Sequence, residues 1–111
     1  MKSKLEIDNY GNKRWGLPNG DLHREDGPAF IQGDGGSIIW YLNGFIHRKD
    51  GPAIEYISGT KLWYINGKRH REDGPAIEYF SGAEDWYLNG IEYTKKQYKK
   101  KIRLIKLKSI L

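Results

Sequence analysis

The sequence predicts a mostly β protein in which tandem β-hairpin repeats form an elongated antiparallel sheet, followed by a basic C-terminal α-helix. Trp-Tyr recurs at Trp40-Tyr41, Trp63-Tyr64 and Trp86-Tyr87, 23 residues apart, and Asn-Gly follows each time at Asn43-Gly44, Asn66-Gly67 and Asn89-Gly90. The pattern H-R-x-D-G-P-A recurs as His23 to Ala29, His47 to Ala53 and His70 to Ala76. From Thr94 to Leu111 the chain carries eight basic residues and no acid, whereas Met1 to Tyr93 carries eleven basic residues against fourteen acids. A fixed period of this length marks a repeat architecture. The charge step marks a boundary, giving a body over 1–93, with three units of about 23 residues plus a partial N-terminal unit, and a tail over 94–111.

Each unit reads as a hairpin. Asn19-Gly20 precedes the first Trp-Tyr and belongs to the partial unit. Lys61-Leu62-Trp63-Tyr64-Ile65 is β-branched and aromatic and runs into Asn66-Gly67, whose tolerance of positive φ favours a type I′ turn. Asp73-Gly74-Pro75 predicts a second reversal, because proline fixes its own φ and holds the preceding residue extended. Ala76 to Phe80 is the next strand, closed by Ser81-Gly82. Alternation sets Trp63 and Ile65 on one face and Leu62 and Tyr64 on the other. The first copy carries Gly33-Asp34-Gly35-Gly36-Ser37 where later copies have Ser58-Gly59-Thr60-Lys61 and Ser81-Gly82-Ala83-Glu84. An insertion in a turn costs little. In the tail, Thr94-Lys95-Lys96-Gln97 matches a capping box and predicts a helix from about Lys95. Tyr98, Ile102 and Ile105 fall on one side of it, Leu104, Leu107 and Leu111 on another.

An apolar fraction of 38% implies a thin body. With 14% aromatics, burial is expected to concentrate in large rings arranged as ladders, rather than in aliphatic side chains. The chain has no cysteine, which excludes disulfides and thiolate chemistry. Met1 to Leu5 is charged and the longest apolar run is Ile38 to Leu42, so a cytoplasmic protein is expected.

The period and W-Y-x-N-G-x-x-H-R-x-D-G-P-A, over roughly Trp15 to Tyr93, resemble MORN repeats. They resemble more closely still a divergent MORN-like array of small proteins from bacteriophages and large DNA viruses. Typical MORN units carry H-G-x-G where this chain has His-Arg-x-Asp-Gly, which argues against carrying over phosphoinositide binding. The resemblance implies an elongated non-enzymatic scaffold for protein or membrane contacts. A viral origin would make it an inhibitor that sequesters a host defence protein, as anti-CRISPR proteins do, in the host cytoplasm.

Catalysis is not expected. Equivalent residues of stacked hairpins stand roughly 10 Å apart, so His23, His47 and His70 cannot converge on one ion whose ligands must lie about 2 Å away. The expectation is no metal, no cofactor and no catalytic residue. Each His and Asp should satisfy backbone groups of the Asp-Gly-Pro corner, with Arg packed alongside. Ser58 and Ser81 sit in ordinary Ser-Gly turns. Gly33 to Gly36 lacks the Lys-Ser/Thr and helix of a phosphate loop. The expected partner is a protein, met by a repeat surface of Tyr41, Arg48, Tyr64, Arg71 and Tyr87. The tail cations Lys95, Lys96, Lys99, Lys100, Lys101, Arg103, Lys106 and Lys108 offer a second contact, to a protein, to nucleic acid or to an anionic membrane. Sheet edges or tails could also join two chains as a homodimer.

Overall fold

Short β-branched and aromatic segments separated by glycine turns become β1 (Lys4–Ile7), β2 (Lys13–Gly16), β3 (Phe30–Ile31), β4 (Ile38–Ile39), β5 (Tyr41–Leu42), β6 (Phe45–Ile46), β7 (Ile54–Glu55), β8 (Lys61–Leu62), β9 (Tyr64–Ile65), β10 (Lys68–Arg69), β11 (Ile77–Glu78), β12 (Glu84–Leu88) and β13 (Ile91–Tyr93), followed by α1 (Lys95–Ile110). The computed structural model describes residues 2–111. An antiparallel sheet of nine strands runs in the order β1-β2-β3-β4-β7-β8-β11-β12-β13, and β5-β6 and β9-β10 form two-stranded ribbons beside it. The molecule measures 49 × 34 × 18 Å, the elongated hairpin array that the repeat implies.

Two kinds of turn alternate along the array. At Asn43, Asn66 and Asn89 φ is 49°, 50° and 51°, and the following glycines are also left-handed, which is the type I′ geometry expected of Asn-Gly. At the opposite ends of the strands, Gly11, Gly59 and Gly82 donate to the carbonyls of Asp8, Tyr56 and Tyr79. The inserted residue of the first copy lies in such a turn: Gln32 N–H reaches Ser37 O, five residues on, where Tyr56 N–H reaches Thr60 O, four residues on. The register of the sheet is unaffected. Asn19-Gly20 departs from its fellows, with only Gly20 left-handed and bonded back to Leu17 O across Pro18.

The Trp-Tyr segments are interrupted in the middle units, β4 from β5 at Trp40 and β8 from β9 at Trp63. Trp63 O accepts from His70 N–H and Trp63 N–H donates to Ala76 O, so the residues between, Arg71 to Pro75, are extruded as a corner loop opposite the tryptophan. The last unit has no His-Arg-x-Asp-Gly-Pro-Ala, no loop is extruded, and β12 runs unbroken through Trp86.

The core of the repeat body is aliphatic. Ile54, Leu62 and Ile77 are buried along one face, flanked by Ile39, Ile46, Tyr64 and Tyr87, and the heptapeptide alanines Ala29, Ala53 and Ala76 are fully buried. The fully buried positions of this body are aliphatic, whereas Trp15, Trp40, Trp63 and Trp86 are half-buried. The first three lie opposite corner loops, and a charged arginine covers each outer face. Leu62 and Tyr64 share the core face, as alternation requires.

Helix α1 starts as its capping box dictates, Thr94 Oγ1 accepting from Gln97 N–H at 3.1 Å and Gln97 Oε1 from Thr94 N–H at 3.0 Å. Tyr98 and Ile102 are buried with Leu88, beside Trp86 and Tyr93, so the helix packs on the last hairpin, while Ile91 and Glu92 of β13 stay exposed. Leu104, Leu107 and Leu111 are exposed.

Candidate functional site

The repeated polar residues assemble the corner loops. Arg71 stacks with its Cζ 3.7 Å from the Trp63 ring centroid, donates from Nε to Asp73 Oδ1 at 3.0 Å, and donates from Nη1 to Pro75 O at 3.1 Å and to Glu78 Oε2 at 2.6 Å. Arg24 on Trp15 and Arg48 on Trp40, each at 4.0 Å, repeat the arrangement with Asp26 and Pro28 and with Asp50 and Pro52. The glycine of the motif makes room for this: a Cβ on Gly74 would stand 2.8 Å from Arg71 Cζ.

The histidines join one unit to the next. His23, His47 and His70 accept at Nδ1 from the backbone N–H of Asn43, Asn66 and Asn89 at 2.9, 3.0 and 2.9 Å. Accepting at Nδ1 places the neutral ring's proton on Nε2. Nε2 of His70 faces Glu72 at 2.9 Å and that of His23 faces Glu25 at 3.7 Å. The corner-backbone role expected of His and Asp is thus divided: the imidazole reaches past its own corner to the next Asn-Gly turn, and the carboxylate is taken by the arginine. Among the described residues, no group of three His, Cys, Asp or Glu side chains is placed to hold a metal ion. His47→Ala should leave the Asn66 N–H without its acceptor and lower stability by about 1–3 kcal/mol, measurable by urea denaturation; a variant as stable as the parent would deny the imidazole this joining role.

The repeat-surface residues are largely engaged inside the array. Arg48 and Arg71 are held by their own corners. Tyr64 and Tyr87 hydroxyls accept from Arg69 Nε and Nη1, each at 3.2 Å, and the bond to Tyr64 is the main cause of a raised Arg69 pKa. Tyr41 is half-buried, and that burial, with Tyr56 nearby, raises its pKa.

Two kinds of surface remain open. Grooves separate successive corner loops, one of about 540 Å3 lined by Arg24, Trp40, Leu42, His47 and Arg48, and one of about 730 Å3 lined by Trp63, Ile65, His70 and Arg71, with Lys106 of α1 at its rim. Asp26, Asp50 and Asp73 crown the loops, each more than four-fifths exposed. The other surface is the outer side of α1. All eight tail cations are exposed. At about 100° per residue, Leu104, Leu107 and Leu111 point away from Tyr98 and Ile102. Lys96, Lys99 and Arg103 border this leucine stripe on one side, Lys101 and Lys108 on the other. Its i, i+3, i+7 spacing was visible in the sequence; its exposure was not, since that depends on which side of the helix docks.

Fold and site together define a tandem β-hairpin array of arginine-stapled corner loops, capped by a basic helix. No protein-family model, no curated protein and no solved structure matches the chain. Among the described residues no helix is long and apolar enough to cross a membrane.

Proposed function

We propose that this protein is a non-catalytic binding module that docks an acidic protein surface through the outer face of α1, the repeat array serving as its scaffold. The observation that supports this best is the exposed Leu104-Leu107-Leu111 stripe, bordered on both sides by cations on a helix with no acidic residue. Catalysis has little support, because the repeated His, Arg and Asp residues are spent in bonds that recur in each unit, as structural residues do. The likeness to MORN-like arrays of phages and large DNA viruses favours a host protein as the partner, sequestered rather than processed.

Truncation after Tyr93 would remove the cap and the docking face together, so the test is a full-length Leu104→Gln/Leu107→Gln/Leu111→Gln variant that keeps Tyr98 and Ile102. In affinity capture from nuclease-treated host lysate, the parent chain should retain an acidic protein at stoichiometric level, and the variant should lose it at least tenfold. Binding of added DNA or RNA by the parent chain, with affinity falling steeply with salt and no protein retained from the lysate, would overturn the proposal. So would co-sedimentation with anionic but not neutral vesicles in the absence of any retained protein, which would assign the same face to a membrane surface.

A further inference from the structure

The two ends of the sheet are treated differently. At one end α1 packs on the last hairpin, with Tyr98 and Ile102 buried against Leu88 beside Trp86 and Tyr93; at the other, β1 is paired only with β2 among the described residues, and all four of its residues are exposed. Which of its backbone groups face outward follows from the neighbouring bonds. Trp15 lies opposite Leu5, but its N–H donates to Ala29 O and its C=O accepts from His23 N–H, both on the side away from β1. Leu5 and Trp15 are therefore a non-hydrogen-bonded pair, and Leu5 turns its own N–H and C=O to the open edge. Asp8 N–H bonds Asn12 O within the hairpin, so by alternation Glu6 and Asp8 face inward and Leu5 and Ile7 face outward.

We propose that two copies of this chain pair β1 with β1, antiparallel and about a two-fold axis at Leu5, into one continuous eighteen-stranded sheet. The register is dictated by both hydrogen bonding and charge. With Leu5 opposite Leu5 of the second copy, the outward N–H and C=O groups of both strands meet, and Ser3 falls opposite Ile7. Lys4 then stands opposite Glu6 of the second copy, twice, in the non-hydrogen-bonded positions where side chains approach most closely. Slipping by two residues in one direction sets Lys4 against Lys4 beside two Lys2–Glu6 pairs, and in the other Glu6 against Glu6 beside two Lys4–Asp8 pairs, so of these registers only the one on Leu5 has no like-charge contact. Slipping by one aims outward groups at inward ones. Among the described residues neither Lys4 nor Glu6 has an ion pair within its own chain, so both are available. Leu5 and Ile7, exposed by 43% and 58%, gain apolar neighbours on the face that carries Trp15. An isologous contact of this kind closes at two copies. It does not depend on the partner proposed for α1, which lies at the far end of the sheet.

The test is molar mass in solution across a concentration series, by light scattering or sedimentation equilibrium. The parent chain should reach twice 12.9 kDa. Lys4→Glu puts two pairs of like charges in register and should weaken dimerisation at least tenfold, and Lys4→Glu/Glu6→Lys should restore it. Leu5→Pro removes an outward N–H that makes no bond within the chain, so it should give a monomer with unchanged circular dichroism. A parent chain that stays monomeric at every concentration, a Lys4→Glu variant that dimerises like the parent, or a double variant that fails to recover while remaining folded would each overturn the proposal.

Discussion

Tyr98→Ala is expected to lower the unfolding free energy by about 3 kcal/mol or more and to free the helix from the sheet. The ring is 4% exposed and lies 4.8 Å from the Trp86 ring, inclined at 51°. It packs on the fourth tryptophan, whose ring also has Lys95 Nζ 5.7 Å from its centroid. Its hydroxyl donates to Arg71 O at 2.5 Å and accepts from Gly74 N–H at 3.4 Å, which fastens the helix to the last corner loop. Tyr98→Phe keeps the ring and should cost about 1 kcal/mol. Burial raises the pKa of Tyr98, against which the bond from Gly74 acts. The phenol is an acid whose folded pKa lies above its unfolded value of about 10, so its contribution is complete below that pH and is lost as pH rises through the folded pKa. Urea denaturation between pH 8 and 11 should therefore show a shallower alkaline decline for Tyr98→Phe than for the parent chain. An alanine variant with unchanged stability would show that α1 is not the cap.

Trp63→Ala should cost about 3 kcal/mol, with a consequence beyond its own unit. The Trp63 ring is the floor on which the Arg71 guanidinium rests, and that guanidinium holds Asp73, Pro75 and Glu78. Removing the floor loosens the whole third corner, to which Tyr98 is also bonded. Because each unit is stabilised mainly by its neighbours, damage there should uncouple the C-terminal hairpin and helix from the N-terminal units and broaden the unfolding transition. A double-mutant cycle of Trp63→Leu with Arg71→Met isolates the stacking and should give a coupling of about 0.5–2 kcal/mol. A coupling near zero would mean that the arginine acts only through its hydrogen bonds.

Much of the fold was legible because it rests on local chemistry. Asn66-Gly67 announces a type I′ turn from the conformational range of two residues, and Thr94 with Gln97 announces a helix start from two side chains. The corner loop was legible as a reversal, but the role of its arginine was not. Arg71 meets Trp63 only once the strand has turned back on itself, eight residues later. The histidines were harder still, since His47 is completed by Asn66 in the next unit, and nothing in the spacing says that Nδ1 will find that N–H.

What the sequence determined by itself was the repeat, its turns, its period and the charge break at Thr94, since these depend on residues adjacent or nearly adjacent in the chain. Tertiary structure alone decided that isoleucine and leucine rows would fill the core of the repeat body while its first three tryptophans lie half open beneath arginines. It also decided that Tyr98 and Ile102 would dock and so turn Leu104, Leu107 and Leu111 outward. The physical reason is that a ring or a helix side is equally apolar on whichever side is considered. Only the partner brought against it from a distant part of the chain decides which side is hidden and which is left to bind.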